Sequence, residues 1–335
     1  MFAKKNIIFV YNPHSGVGGK HVILRQIEDL LDREKYDFTI RKITKEGHAS
    51  ELAREAVVNG ADIVCAIGGD GTVNMIASEL KDTDTALAII PAGSGNGLAR
   101  HLHIPLDHEK AIMLINNGSV RSMDYGIVNL QPFFCTCGVG FDAFISQKFA
   151  QTKIRGPLAY LEKMLLNGLL FKPETYDIDV VGEREEHTVR KAFIITCANA
   201  SQYGNNIYIA PHASVFDGML NVTIVKPFTA LEVPQLAMQL VTGKIEQNSR
   251  IETFRCKSIS IHRTKPGVIH FDGDPVNTTS DVEIAVVPGG LKCICPSNEG
   301  ITDVAEIIHN EIIDQINKIK TTWQYQTLKK IRTNQ

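Results

Sequence analysis

The sequence lacks any long apolar run. No stretch approaches the roughly 18 to 20 residues that a helix needs to cross a bilayer. After Met1 it also lacks the apolar core of a secretion signal, because the first residues lead directly into a strand-like segment. We therefore expect a cytoplasmic protein, with peripheral contact at the inner membrane surface kept as an alternative.

A strong charge of either sign is also absent. The 35 lysines and arginines nearly balance the 37 aspartates and glutamates, so the formal net charge is −2 and we expect no nucleic-acid partner. The cysteines number seven, an odd count typical of a reducing compartment rather than of a disulfide framework. Two Cys-x-Cys pairs, Cys135/Cys137 and Cys293/Cys295, are interpreted as small buried apolar residues rather than as zinc ligands.

The first third of the sequence has a regular alternation of strand and helix patterns. Apolar runs predict strands near residues 6–11, 37–43, 61–67 and 86–90, and residues between them show helical spacing. Repeated βα units form parallel sheets. We therefore predict a doubly wound parallel α/β domain over residues 1–124.

Polar, glycine-rich segments follow each of these predicted strands, at residues 12–16, 44, 68–72 and 91–96. The carboxyl ends of parallel strands meet at one edge of a sheet, where α/β proteins bind ligands. A glycine turn before a helix also lets backbone amides approach phosphate. The spacing matches neither a P-loop nor a dinucleotide fingerprint. We predict a different nucleotide site, in which Asp70 meets a metal ion or a substrate hydroxyl.

Short strand patterns dominate after about Asp124 and predict a β-sandwich domain over residues 125–296. An apolar helix is predicted over residues 157–171, either simply buried or forming one wall of an acyl-chain cleft. Residues 297–335 predict an amphipathic helix and a basic tail around Trp323. We expect this tail to dock on the first domain or on a second subunit, as in a homodimer, with a membrane surface as the alternative.

Carboxylates occur in two turns of the second domain. Asp217 lies in a tight glycine turn with carbonyl groups on either side, which suits Mg²⁺, although a plain turn into the next strand is the favoured interpretation. Asp272 and Asp274 flank a glycine and are spaced to hold a general base beside a metal or an orienting group. A turn is again the alternative.

Taken in order, these segments resemble the diacylglycerol kinase catalytic family, which includes bacterial soluble lipid kinases and the sphingosine and ceramide kinases. The resemblance rests on Asn-Pro-x-Ser-Gly from Asn12, Gly-Gly-Asp-Gly-Thr from Gly68, Pro-Ala-Gly-Ser-Gly-Asn from Pro91, Asp217-Gly218 and Asp272-Gly273. It extends from residue 6 to about residue 295. It implies an α/β domain and a β-sandwich domain, with ATP and the active site in the cleft between them.

By this resemblance the protein is an ATP- and Mg²⁺-dependent kinase that phosphorylates a primary hydroxyl of a lipid at a membrane surface. Asp274 is implied to be the base, and Asp70 to lie near the phosphates and Mg²⁺. Asp217 and the carbonyls of Ser214 and Met219 are implied to hold a structural Mg²⁺. The residues implied to contact ATP are Asn12, Pro13, His14, Ser15, Gly16, Thr44, Gly68, Gly69, Asp70, Gly71, Thr72, Val73, Asn74 and Ser94.

The sequence departs from the family pattern at two positions. Asp274 stands where the family has glutamate, which leaves Asp272 as an alternative base. Gly97 replaces an aspartate common in bacterial diacylglycerol kinases, so both diacylglycerol and a sphingoid base stay open as substrates. A catalytically weak, nucleotide-responsive lipid-binding protein is the main alternative function. An NAD kinase, which shares the Gly-Gly-Asp-Gly loop, is less favoured.

Overall fold

The computed structural model describes residues 3–15, 19–141, 143, 164–165, 168, 171–183 and 185–297. Gly16, most of the predicted helix over 157–171 and the predicted C-terminal helix and tail lie outside these described residues. The chain as far as Pro296 belongs to one compact unit. Within the described part, no helix has the length and apolar character needed to cross a bilayer.

The N-terminal half alternates strands and helices, as predicted. Its elements are β1 (Lys5–Tyr11), α1 (Lys20–Leu30), β2 (Tyr36–Lys42), α2 (His48–Val58), β3 (Ile63–Gly68), α3 (Asp70–Leu80), β4 (Ala86–Pro91), α4 (Gly97–His101) and α5 (His108–Asn117). Strands β1 to β4 are mutually parallel in the order β2-β1-β3-β4. Every residue of β3 and β4 is buried, as expected for strands covered on both faces.

The C-terminal half is dominated by antiparallel strands. Its elements are β5 (Ser119–Val128), β6 (Gln131–Phe133), β7 (Thr136–Gly140), β8 (Glu174–Gly182), β9 (Glu186–Ala192), β10 (Ile194–Ala198), β11 (Leu220–Val225), α6 (Val233–Thr242), β12 (Ile251–His262), β13 (Gly267–Phe271), β14 (Asp274–Thr278) and β15 (Asp281–Cys295). The predicted fold class, an α/β domain followed by a β-sandwich domain, is confirmed. The predicted boundary at residue 124 stays a prediction.

Strand β15 links the two halves. It pairs with β12 and β5 in the antiparallel sense and touches β4 in parallel through Cys293 and Leu87. The sheet therefore continues as β2-β1-β3-β4-β15-β12-β11-β10-β7-β13-β14 among the described strands. This continuity fixes the position of the β13–β14 hairpin relative to the loops of the parallel half.

The sequence patterns located elements better than they located breaks between them. The apolar pattern at residues 133–139 suggests one strand but contains the end of β6 and most of β7, and the pattern at residues 188–198 contains part of β9 and all of β10. Helix α3 begins at Asp70, three residues before the helical pattern that starts at Val73, because the glycine turn is shorter than the sequence suggests. All seven cysteines are buried free thiols, which confirms their interpretation as buried residues.

Candidate active site

The predicted nucleotide loops lie together at one edge of the parallel sheet, where β1 to β4 end. The side-chain amide of Asn12 donates a hydrogen bond to the Thr72 hydroxyl (3.3 Å), which joins the first loop to the third. Asn12 also accepts a hydrogen bond from the His14 amide (2.9 Å). Thr44, after β2, contacts His48 Nδ1 at 3.1 Å. The Asn12–Thr72 hydrogen bond thus joins the first and third loops, whereas the contact of Thr44 is with the helix that follows it.

Glycine at 68, 69 and 93 allows chain segments to come very close. A Cβ on Gly68 would lie 2.6 Å from the Thr72 hydroxyl, and a Cβ on Gly93 would lie 2.4 Å from the Gly69 Cα. Both distances are shorter than real Cβ contacts, so a side chain at Gly68 would displace Thr72 of the same loop, and one at Gly93 would separate the third and fourth loops. Gly69 and Gly93 therefore set how closely those two loops pack.

Asp70 lies in the first turn of α3 and binds the start of α4. Its two carboxylate oxygens accept hydrogen bonds from the Asn96 amide (2.9 Å) and the Gly97 amide (2.6 Å). A Cβ on Gly95 would collide with one of these oxygens, at 2.5 Å. The carboxylate therefore accepts hydrogen bonds from backbone amides that would otherwise lack a partner at the start of α4. The sequence did not suggest this structural function. Each oxygen keeps a second lone pair that can accept another partner.

Asp272 occupies the turn between β13 and β14, with a left-handed φ of 49°. It is half-buried, and its oxygens accept hydrogen bonds from the amides of Phe134 (2.7 Å), Cys135 (2.7 Å) and Thr136 (3.0 Å). Asn74 of α3 donates a fourth, at 2.6 Å. Burial raises the pKa of Asp272, and the four donors oppose that rise.

Asp274 has a different environment, although it is only two residues further on. It begins β14 with an exposed side chain, and no hydrogen bond or ion pair holds its carboxylate among the described residues. Nearby protein atoms partly desolvate this carboxylate, which raises the pKa of Asp274 above its usual range. An unengaged carboxylate with a raised pKa has the properties of a proton acceptor, whereas Asp272 has those of an anchor.

A cavity of about 530 Å³ begins at Asp70 and Asp272 and extends into the second half of the molecule, while Asp274 lies outside its described lining. Its polar end contains Asp70, Asn74, Ser94 and Asp272. Its remaining walls are mostly apolar and include Phe141, Leu165, Ile194, Ile209, Val225, Phe228, Leu236, Leu240 and Ile245. Tyr203 and His270 also line it. Polar groups at one end and aliphatic and aromatic walls at the other suit an amphiphile.

The predicted Mg²⁺ turn lies outside the described lining of this cavity. Asp217 accepts hydrogen bonds from the Met219 amide (3.1 Å) and from the Arg255 guanidinium (2.7 Å). The buried Asp124 accepts the amide of Gly218 (2.7 Å) and that of Gly289 (2.7 Å), which ties the turn to β5 and β15. The hard oxygens of Ser214, Asp217 and Met219 fit Mg²⁺ chemically, but Arg255 already neutralises the carboxylate.

Several groups at the site were missed by the sequence patterns. The Asn74–Asp272 contact joins residues 198 positions apart, and no local motif marks it. Asp124 was noted only as the place where the sequence changes character. Tyr203 and Asn206 belong to a segment that carried no recognised signal, whereas His270 begins the segment of Asp272 and Asp274 but was given no function. A chemical signal did exist at residues 204–206, since Gly-Asn-Asn favours left-handed backbone.

Comparison with known families gives two matches that together account for most of the chain. The sequence model described as "Diacylglycerol kinase catalytic domain" matches residues 6–128. The one described as "YegS C-terminal NAD kinase beta sandwich-like domain" matches residues 135–295.

Individual relatives agree with these matches. Diacylglycerol kinase of Bacillus subtilis is 28% identical over 278 residues, covering 81% of this chain and 90% of the relative. A probable YegS-like lipid kinase of Cronobacter sakazakii is 29% identical over 293 residues, covering 84% and 94%. The crystal structure of a diacylglycerol kinase from Bacillus anthracis has a TM-score of 0.69 at 20% identity, covering 90% of this chain and 100% of that one, which shows a shared fold.

Proposed function

Because this chain belongs to the diacylglycerol kinase catalytic family and is a lipid kinase, we propose that it transfers the γ-phosphoryl group of ATP to a primary hydroxyl of a lipid. The acceptor is a diacylglycerol or a sphingoid base. The observation that supports this most directly is the cavity, whose polar end holds Asp70, Asn74 and Asp272 and whose walls are otherwise mostly apolar. An NAD kinase binds a polar acceptor and does not need apolar cavity walls.

ATP is placed across the loops that follow β1 to β4. Asn12, Thr44, Thr72 and Ser94 supply side-chain contacts, and the backbone amides after Gly68 face the phosphates at the start of α3. The second lone pairs of the Asp70 oxygens fit a Mg²⁺ ion bound with ATP. Such an ion supplies positive charge that neutralises the phosphate oxygens. The protein contributes the positions of the reacting groups.

Asp274 is proposed as the base that accepts the proton of the lipid hydroxyl. Its carboxylate is exposed and its pKa is raised, so it can take up a proton more readily than an ordinary aspartate. Asp272 accepts four hydrogen bonds, from Phe134, Cys135, Thr136 and Asn74. Protonation of Asp272 would turn one acceptor oxygen into a donor and leave one of these groups without a partner. We therefore assign Asp272 to holding α3 against β7.

The lipid chain is proposed to occupy the apolar part of the cavity, with its hydroxyl at the polar end. Contact with a membrane surface follows from the substrate, because lipids with long chains reside in bilayers. The Mg²⁺ at Ser214, Asp217 and Met219 is proposed as a weaker structural site that competes with Arg255. A homodimer stays a prediction, since the tail that suggested it lies outside the described residues.

Release of ADP from ATP tests the function. Purified protein is incubated with Mg²⁺-ATP and mixed micelles that contain diacylglycerol, a sphingoid base or no lipid, and with NAD in place of lipid. Lipid-dependent ADP release, with a phosphorylated lipid recovered by extraction, is the expected result. ADP release that depends on NAD, or binding of lipid and ATP without any turnover, would contradict the proposal.

A further inference from the structure

We propose that Arg100 and Asn206 form a clamp. The clamp holds the phosphate loop, residues 93–96, at a fixed position relative to the lipid cavity. Both are positioning residues in this view, because they act through the backbone of the loop. The inference rests on the proposed function only in that the loop binds ATP. It concerns a contact between the two halves that no recognised motif marks.

The clamp is a set of hydrogen bonds around one carbonyl group. Arg100, in α4, donates from Nε to the Gly95 carbonyl (3.0 Å) and from Nη1 to the side-chain oxygen of Asn206 (2.9 Å). The amide of Asn205 donates to the same Gly95 carbonyl (3.2 Å). One guanidinium thus links the phosphate loop to a segment of the second half, with two of its donors in fixed geometry.

The segment that carries Asn206 has a left-handed backbone and borders the cavity. Gly204, Asn205 and Asn206 have consecutive left-handed φ angles of 105°, 52° and 60°. The residues on either side, Tyr203 and Ile207, line the cavity. Glycine adopts this conformation freely, whereas each asparagine adopts it at a modest cost in free energy that surrounding contacts offset. The Arg100–Asn206 hydrogen bond is one of the contacts that hold it.

A second link runs parallel to the clamp. His101, the next residue of α4, contacts the Ser201 hydroxyl (3.0 Å) and accepts the Ser201 amide (3.1 Å) through Nδ1. Burial lowers the pKa of His101 to about 4, so the ring is neutral near pH 7 and its Nδ1 stays an acceptor. Helix α4 is therefore joined to residues 201–206 at two successive positions.

The clamp contacts the loop that binds Asp70. Gly95 precedes Asn96 and Gly97, whose amides bind the Asp70 carboxylate, and Ser94 lies at the polar end of the cavity. A loop that shifts at Gly95 changes the position of Asp70 and Ser94 relative to the lipid hydroxyl. Because phosphoryl transfer depends mainly on positioning, the shift lowers turnover more than it lowers binding.

Asn206→Ala tests the inference, with Asn205→Ala as its matched control. Both substitutions place alanine in left-handed backbone and share that strain, and both keep the backbone amides. Only Asn206 bonds Arg100 with its side chain, while the side chain of Asn205 is exposed. We expect Asn206→Ala to lower kcat in the micelle assay by about tenfold more than Asn205→Ala, with a smaller change in KM for ATP. Asn206→Asp, which keeps the oxygen acceptor and tolerates the same φ, is expected to retain activity.

Hydrogen exchange supplies a readout that does not depend on turnover. Amides of residues 95–97 are expected to exchange faster in Asn206→Ala than in Asn205→Ala, and at the parental rate in Asn206→Asp. Should Asn206→Ala not fold, Arg100→Lys serves instead, since one ammonium cannot maintain both contacts. An active parent with equal kcat and equal exchange in the two alanine variants would overturn the clamp. A parent without lipid-dependent turnover but with faster exchange in Asn206→Ala would overturn the proposed function alone.

Discussion

The two ends of the cavity are built by different means. The polar end combines loops of the parallel half, where Gly69 and Gly93 allow close packing, with Asp272 of the antiparallel half. The apolar end comes from antiparallel strands and α6, where side chains such as Ile209 and Leu240 form the wall. The carboxylates near the polar end differ in function: Asp272 accepts four hydrogen bonds and serves as an anchor, whereas Asp274 accepts none among the described residues. The number of donors around each carboxylate distinguishes these roles.

Substitution of Asp70 is expected to give the largest loss of activity. We expect Asp70→Asn to lower kcat by about 100-fold or more, because the charge near the phosphates is lost while one acceptor for the α4 amides remains. Turnover in the micelle assay measures it, together with the thermal midpoint. Asp107→Asn is the matched control, since Asp107 caps α5 through the Lys110 amide, away from the site, and asparagine caps equally well. Similar kcat values for the two variants would refute a catalytic function for Asp70.

The second test separates the two carboxylates of the β13–β14 hairpin. Asp274→Asn is expected to lower kcat by about 100-fold with unchanged stability, because it removes the base. Asp272→Asn is expected to destabilise the fold by about 1–3 kcal/mol, because an NH₂ group then faces backbone donors. Kinetics and urea unfolding of both variants measure the difference. Loss of stability in Asp274→Asn, with normal kcat, would reverse the assignment.

The pH dependence of the parent protein sharpens the same assignment. Partial desolvation raises the pKa of Asp274, and a base works only when ionised. Activity should therefore fall, as pH decreases, at a value above the ordinary aspartate pKa of about 3.9. The fall in kcat/KM with decreasing pH measures it. A fall at or below the ordinary value would contradict partial desolvation of the base.

A smaller effect is expected from filling the apolar end. Leu240→Trp narrows the cavity and should raise KM for long-chain lipids by about tenfold, while short-chain lipids are affected less. Leu231→Trp, in the turn before α6, is the control because Leu231 is 93% exposed. KM values for a series of chain lengths measure the effect. Equal changes for all chain lengths would place the lipid chain elsewhere.

The smallest effect concerns Mg²⁺ at the Asp217 turn. Removing the guanidinium in Arg255→Met frees the Asp217 carboxylate, so added Mg²⁺ should raise the thermal midpoint more than in the parent. Arg54→Met, which breaks an exposed ion pair with Glu79, is the control. The difference is measured by thermal unfolding with and without Mg²⁺. Equal Mg²⁺ responses in the two variants would mean that the turn does not bind the ion.

Predictability from sequence differs between the two halves for a physical reason. In the parallel half each strand and its loop are adjacent in sequence, so the pattern from Asn12 to Asn96 located the loops and the edge where they meet. In the antiparallel half the important pairings are distant: β7 pairs with β13, more than a hundred positions away. Local patterns located strands there but left β13 and β14 unmarked.

The same distinction applies to individual site residues. Asp70 was identified from its glycine loop, but its hydrogen bonds to Asn96 and Gly97 depend on the packing of two loops. Asp272 and Asp274 were identified as a pair and could not be told apart. The contact with Asn74 and the amides of residues 134–136 distinguishes them, and those partners come from other strands and helices.

By itself the sequence determined the order of strands and helices in the first half, the loops at the strand ends and the family to which the chain is similar. These depend on local backbone preference and apolar periodicity, which a sequence displays directly. Only the tertiary structure decided which carboxylate is an anchor, how the cavity joins the loops and where Arg100 meets Asn206. Each of these depends on burial and on hydrogen bonds between residues far apart in the chain, which no local pattern encodes.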